Sequence, residues 1–284
     1  MPDKHHHETN RISWNAATEA HNSHKGDQAA FFRAGGSTLY PDEIELLGDL
    51  SGKTLVHLQC NAGQDTLSLA RLAAVVTGVD ISDTAIAFAR QLSADSGLPA
   101  TFHRSDVYDW LNSTAERFDC AFVSYGALCW LSDLKAWGRG VARVLNPGGR
   151  LVLLDFHPVY NLFEEGWKLT YDYMGGTAVH FEIGIGDYVE MTYESASDVP
   201  FEYQEGIKNF QNPNPSVEFT WGVADIVCAL LEAGLQLTTL REYPYSNGFK
   251  RFADMREIPG RRYIMPQGLP QIPMMLGVVA QKPA

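Results

Sequence analysis

The sequence predicts an α/β protein with a doubly wound, parallel sheet, and three observations carry that prediction. Short, almost continuously apolar runs alternate with segments of helical periodicity between residues 55 and 156. The junctions fall on turn chemistry, such as Gly97 and Asn146-Pro147-Gly148-Gly149. The first strand–turn–helix unit leads into a second strand, Val75 to Val79, that ends on a carboxylate, Asp80.

Residues 1–50 read as a helical leader. Trp14, Ala17, His21 and His24 fall on helical spacing, and Pro41 to Leu50 is a short amphipathic helix with proline at its start. Gly35-Gly36 separates the two. The His5-His6-His7 run reads as a disordered start or an expression scar. Leu55 to Gln59 is then a buried strand, and Asp65 is expected to cap a helix reaching Ala74 through Leu67, Leu69 and Leu72. Val75 to Val79 is the second strand. Ser82 can cap a helix carrying Ile86, Phe88 and Leu92 that stops at Gly97. Thr101–Arg104, Cys120–Ser124 and Arg150–Phe156 continue the strands, with a helix over Leu134–Leu145 between the last two.

Beyond His157 the pattern changes. Residues 158–221 are rich in aromatics and read as an inserted β-containing cap, with Val179–Ile183 and Tyr188–Tyr193 alternating in polarity as antiparallel strands do. Val223–Ala233 is a helix closed by Gly234, and Leu235–Arg241 with Met274–Gln281 form a final strand pair. The expected division is a helical lid over 1–50, a core over 51–157, a cap over 158–221, and completion of the core sheet over 222–284.

Composition narrows the function. With 45% hydrophobic and 20% charged residues, the 284-residue chain suits a soluble globular protein, and no run of eighteen apolar residues marks a membrane span. A net charge of -12 disfavours a nucleic-acid partner, because binding a phosphate backbone draws on counterion release by basic side chains. Cys60, Cys120, Cys129 and Cys228 sit in apolar segments with no Cys-x-x-Cys pair. They read as buried thiols of a reducing, cytoplasmic compartment rather than a disulfide or zinc framework, and no metal site is expected.

The stretch Leu58-Gln59-Cys60-Asn61-Ala62-Gly63, followed by a strand ending on Asp80, is half of a nucleotide-binding unit. An acid at that place can accept hydrogen bonds from a ribose diol. With Asp106 after the third strand, Phe118–Ser124 as the fourth, and Leu145-Asn146-Pro147-Gly148-Gly149-Arg150-Leu151 before the fifth, the chain resembles the class I S-adenosylmethionine-dependent methyltransferases, in particular a small-molecule subgroup. The resemblance implies a Rossmann-like, seven-stranded sheet whose last strand is antiparallel. It implies S-adenosylmethionine as cofactor, with Asp80 on the ribose and Asp106 against the adenine. Gln59, Cys60, Asn61, Gly63, Ile81, Val107 and Ser124 complete the expected contacts. The family's first motif, acidic-x-Gly-x-Gly-x-Gly, is met here by His57, Gln59, Asn61 and Gly63, so only its last glycine is kept.

For the chemistry, the candidates are His157, just past strand five, as a base, and Tyr125, just past strand four, to orient the acceptor. Trp14, His21 and His180 are candidate acceptor contacts. Ser124-Tyr125-Gly126-Ala127 lacks the Asp/Asn-Pro-Pro-aromatic signature of nucleic-acid amino-methyltransferases, which favours a small acceptor, oxygen or nitrogen, and an aromatic one given the cap. Two alternatives remain open at this point. One is an NAD-dependent oxidoreductase, although Gly-x-Gly-x-x-Gly is missing from the first turn. The other is a non-catalytic protein that binds a nucleoside cofactor. The oligomeric state is not readable.

Overall fold

The computed structural model describes residues 1–73, 75–195 and 199–284. The leader holds helices α1 (Lys4–Ser23), α2 (Gln28–Arg33) and α3 (Pro41–Leu47). The alternation follows as β1 (Thr54–Leu58), α4 (Gln64–Leu69), β2 (Val75–Asp80), α5 (Asp83–Ser96), β3 (Thr101–Arg104), α6 (Val107–Ser113), β4 (Phe118–Ser124), α7 (Leu134–Val144) and β5 (Leu145–Phe156). The inserted region carries β6 (Phe163–Glu164), β7 (Lys168–Leu169), β8 (Ala178–Phe181), α8 (Tyr188–Ser195) and β9 (Ser216–Phe219). The chain then returns through α9 (Val223–Glu232) and β10 (Gln236–Tyr243). A small sheet of β11 (Ser246–Asn247), β12 (Arg256–Ile258) and β13 (Arg262–Ile264) precedes the last strand, β14 (Met275–Gln281).

The central sheet has seven strands in the order β10-β14-β5-β4-β1-β2-β3. Strand β14 runs antiparallel to both of its neighbours, while β1 to β5 pair in parallel. The apolar runs of the strands are explained by burial on both faces. Val56, Ala121, Leu151, Leu153 and Val278 pack beneath α6, α7 and α9 with Trp137 and Val141. Their neighbours Leu55, Cys120, Phe122, Val152 and Leu154 pack on the other face with Leu46 and Leu47 of α3. Strand order reverses between β1 and β4, so the carboxyl ends of these two strands open a crevice at the switch point.

That crevice needs tight turns. After β4, Tyr125 and Gly126 have φ of 32° and 73°. This backbone is held by Asp155, near the end of β5 and 3% exposed. Its carboxylate accepts the N–H groups of Gly126, of Ala127 at 3.0 Å, of Leu128 at 2.9 Å and of Phe156 at 2.7 Å. Burial pushes the Asp155 carboxyl up, and the four amides oppose this.

Several expectations require correction. The residues Tyr188–Ser195 are the helix α8, not a strand, and the partner of β8 is β9. The His5-His6-His7 run lies inside α1, and His7 is buried. Helix α4 begins after Gly63 and ends at Leu69, so Asp65 stands in its first turn and not at its cap, and Ala74 lies outside the described residues. Strand β5 starts at Leu145 and passes the Asn-Pro-Gly-Gly turn as an irregularity in its pairing with β4. Cys60 and Cys120 are buried, but Cys228 is exposed. Among the described residues, no helix is long and apolar enough to cross a membrane.

Helix α1 is fastened to the inserted region by one side chain. The Asn10 amide donates to the Val217 carbonyl and accepts the Val217 N–H, both at 2.8 Å, and so completes the edge of β9 as a neighbouring strand would. Asn10→Ala would leave both groups unpaired, at about 1–3 kcal/mol each. The expected outcome is faster amide hydrogen exchange across residues 4–23 with the central sheet unchanged; uniform protection in the variant would refute the fastening role. Asp155→Asn puts an amide nitrogen where only acceptors fit. It should cost about 2–4 kcal/mol in urea unfolding, and a loss below 0.5 kcal/mol, roughly that of a surface change, would count against the turn-holding role.

Candidate cofactor and acceptor site

Two turns form the floor of the site. After β1, Gln59, Asn61 and Gly63 have φ of 55°, 47° and 81°. Asparagine tolerates this region better than most residues, and Gly63 has a packing reason as well. A Cβ at Gly63 would stand 2.7 Å from the Ala89 Cβ and 3.0 Å from the Phe102 ring. The Asp80 carboxylate braces the turn, accepting the N–H of Asn61 and that of Ser82 at 2.8 Å each. Burial pushes the Asp80 carboxyl up, against these amides. A carboxylate has about four lone-pair sites, so acceptor capacity remains for hydroxyl donors. The Gln59 side chain donates to the Ala127 carbonyl at 2.8 Å and ties the turn after β1 to the turn after β4. Among the described residues its Oε1 is buried without a hydrogen-bond partner.

Asp106 caps α6 by accepting the Tyr108 N–H at 2.8 Å. Its other oxygen meets His7 Nδ1 at 2.7 Å and Lys4 Nζ at 3.1 Å, so the leader is docked on this carboxylate. Burial alone would raise the carboxyl; the hydrogen bond and charge of His7, with Lys4, outweigh it and bring it to about 2.

These turns open into a cavity of about 540 Å³. Of the residues singled out from sequence, Gln59, Cys60, Asn61, Asp80, Ile81, Asp106, Val107, Ser124, Tyr125, Trp14 and His21 line it. Gly63 lies behind the wall as a packing residue. The other two expectations are corrected. His157 does not line the cavity: its Nδ1 accepts the Val159 N–H at 3.1 Å and its Nε2 meets Glu242 at 2.9 Å. With both ring nitrogens engaged and its pKa lowered by burial, His157 secures the segment after β5. His180 is exposed on β8, with its ring 5.2 Å from His6 and outside the cavity.

The cavity also has walls that sequence reasoning did not assemble. Aromatic rings pass from one to the next around it. Trp130 meets Trp14 at 5.6 Å, Trp14 meets His21 at 6.0 Å, and His21 meets Tyr188 at 4.2 Å. Tyr188 meets Phe249 at 6.0 Å, Phe249 meets Phe156 at 5.1 Å, and Phe156 meets Tyr125 at 5.9 Å. Leader, cap, sheet and tail thus all contribute. His21 Nε2 donates to the Gly186 carbonyl at 2.9 Å, and burial lowers its pKa to about 4. Burial and the nearby Glu43 hold the Tyr125 phenol well above its usual range, so it stays protonated. Glu218, on β9, faces the cavity with its pKa raised by burial, against the pull of Arg251. Its signal in the sequence was only an acid within an apolar strand. His24, Asp187 and Glu190 place ligand atoms within 4.8 Å of one another at the junction of leader and cap.

The acceptor groups fit a nucleoside that carries a sulfonium arm. Asp80 keeps spare acceptor sites, Gln59 keeps an orphaned amide oxygen, and the cavity falls in the range of small-ligand sites.

Residues 56–149 match the family described as a methyltransferase domain. A ubiquinone biosynthesis O-methyltransferase of a Methylobacterium species is 32% identical over 100 residues, covering 35% of this chain and 39% of that protein. A putative methyltransferase of Bacillus subtilis, YqeM, is 28% identical over 113 residues, covering 39% of this chain and 44% of its own. The chain therefore spans less than half the length of these curated relatives. Among solved structures, an S-adenosylmethionine-dependent methyltransferase from Mesorhizobium loti aligns with a TM-score of 0.51 at 20% identity, covering 85% of this chain and 96% of that one. One from Clostridium acetobutylicum aligns with a TM-score of 0.54 at 14% identity, covering 86% and 88%. Residues 56–149 thus match a methyltransferase domain, and the chain shares the fold of these S-adenosylmethionine-dependent methyltransferase structures.

Proposed function

We propose that this protein transfers the methyl group of S-adenosylmethionine to an oxygen or nitrogen of a small, aromatic acceptor. The observation that carries the reading is Asp80: a braced carboxylate with spare acceptor sites at the end of β2, beside the left-handed turn and facing the cavity. It would hold the ribose hydroxyls, with Asp106 and Val107 beside the adenine. When bound, the cofactor supplies an electrophilic methyl group on a sulfonium, so the chain's own task is to align an acceptor and exclude water.

The ring of aromatics suits a planar acceptor. Glu218 is the carboxylate on this wall whose raised pKa suits taking a proton from a hydroxyl or ammonium at the acceptor atom. Tyr125, kept as a phenol, can donate a hydrogen bond to the acceptor or orient it. His21, with a pKa near 4, is too weakly basic at neutral pH to compete with Glu218 for that proton. The name of the Methylobacterium relative supports oxygen as the acceptor atom, and the acidic net charge supports a small molecule over a nucleic acid. The free thiols support a cytoplasmic site of action.

Titration calorimetry with S-adenosylhomocysteine tests the cofactor. Binding by the native chain is expected, and Asp80→Ala should weaken it roughly ten- to a hundredfold through the loss of charged hydrogen bonds. Unaltered affinity would remove Asp80 from the site, and binding of NAD in its place would replace the reading with a dehydrogenase. Release of S-adenosylhomocysteine over a panel of small phenols and amines tests the chemistry. On any accepted substrate, Glu218→Gln should slow turnover by about 10²–10⁴-fold with cofactor affinity retained; full turnover would dismiss Glu218 as the base.

A further inference from the structure

A second group of ionisable side chains lies outside the cavity, where the end of α1 meets the start of α8. His24 caps the carboxyl end of α1 and is fully buried. Asp187 precedes α8, and its side chain is 2% exposed. Its Oδ1 accepts the N–H groups of Val189 at 3.1 Å and Glu190 at 3.0 Å, so the start of the helix fixes how the carboxylate is turned. The other oxygen, Oδ2, then stands 3.1 Å from His24 Nε2. The Nε2 hydrogen bond goes instead to the Ile207 carbonyl, also at 3.1 Å, and Oδ2 accepts no hydrogen bond among the described residues. Glu190, in the first turn of α8, brings a second carboxylate. Ligand atoms of His24, Asp187 and Glu190 all lie within 4.8 Å of one another, and none of the three residues lines the cavity.

A buried carboxylate oxygen without a donor is costly. Two carboxylates beside one imidazole also leave the group short of positive charge. Lys25 senses Asp187, which with Asp65 opposes the lowering of its pKa by burial to about 8. No ion pair within 4.0 Å joins Lys25 to Asp187 among the described residues. Donor atoms about 2.1 Å from a shared ion stand roughly 3.0–3.4 Å apart at octahedral or tetrahedral angles. The two 3.1 Å separations from His24 Nε2, to Asp187 Oδ2 and to the Ile207 carbonyl oxygen, fall in that range.

We propose that His24, Asp187 and Glu190 hold a divalent transition-metal ion that ties the leader to the cap. His24 Nε2, Asp187 Oδ2 and a Glu190 oxygen are the ligands, with the Ile207 carbonyl beside them as a fourth donor. The imidazole then carries its proton on Nδ1, which has no other hydrogen-bond partner among the described residues. A nitrogen ligand favours an ion such as zinc over calcium, which takes oxygen donors. The site braces the cavity from behind. Gly186 and Tyr188 flank Asp187 in the chain, and both line the cavity and meet His21, through the Gly186 carbonyl at 2.9 Å and the Tyr188 ring at 4.2 Å.

Calorimetry on the chelator-stripped chain tests the site, with zinc as the probe and calcium as the comparison. Zinc should bind, and calcium should bind more weakly. Asp187→Asn keeps the acceptor that caps α8, and Glu190→Gln keeps the side-chain shape. Each should weaken zinc by at least the roughly 10–100-fold that losing a ligand's outer partner costs. His5 and His6 can also take zinc, so amide hydrogen exchange locates the ion. Zinc should slow exchange over residues 22–25 and 186–190 in the native chain and not in the variants. Absence of zinc binding, unchanged affinity in either variant, calcium bound as tightly as zinc, or protection confined to residues 4–8 would each overturn the site. No adenosine compound takes part, so these outcomes leave the cofactor reading untouched. If Asp187→Asn fails to fold, Glu190→Gln and the exchange pattern decide.

Discussion

The site depends on backbone forced into the left-handed region at the ends of two adjacent parallel strands. Gln59 and Asn61 after β1, and Tyr125 after β4, all have positive φ without being glycine. Such conformations cost about 1–2 kcal/mol per residue and persist only where their surroundings dictate them. Here the dictating groups are buried carboxylates, Asp80 for the first turn and Asp155 for the second, with the Gln59–Ala127 bond joining the two. Each carboxylate satisfies backbone N–H groups that a tight turn leaves without partners. The same geometry that ends the strands therefore shapes the cavity floor, and acid side chains that could serve only as ligands also hold the scaffold.

The remaining walls come from segments remote in sequence. Helix α1 crosses the top, pinned by His7 to Asp106, by Arg11 to Asp83 and by Asn10 to β9. The inserted region supplies Phe181, Tyr188 and Glu218, and the tail supplies Asn247 and Phe249. Sheet and cover are thus built by different rules. The sheet is dense and apolar on both faces, while the cover is held by hydrogen bonds and ring edges.

This difference explains what was legible in the residues. Strands β1 to β5 could be read directly, because burial on both faces leaves an apolar run that little else produces. Asp80 stands out in the sequence only together with the turn after β1 and the other strand ends, and in the structure its carboxylate braces that turn and faces the cavity. Asp155 could not: it sits within a strand run, and only the folded turn reveals the four amides around it. Tyr188–Tyr193 alternates in polarity over six residues, a length at which strand and amphipathic helix are hard to tell apart, and tertiary contact with His21 and Phe249 falls on the helix. The histidines were misread for a related reason. Position after a strand pointed to His157, but which way an imidazole turns is decided by Glu242, 85 residues away in the chain.

The docking of α1 has a practical corollary. The stretch from Lys4 to Ser23 is part of the wall of the cavity, and its first turn already bonds to Asp106 through Lys4 and His7. A purification handle fused upstream would hang from this wall, where a histidine run adds competing imidazoles beside the native ones. Attachment after β14, whose end is pinned to the sheet by Lys282 through the Ala142 and Leu145 carbonyls, leaves the wall untouched.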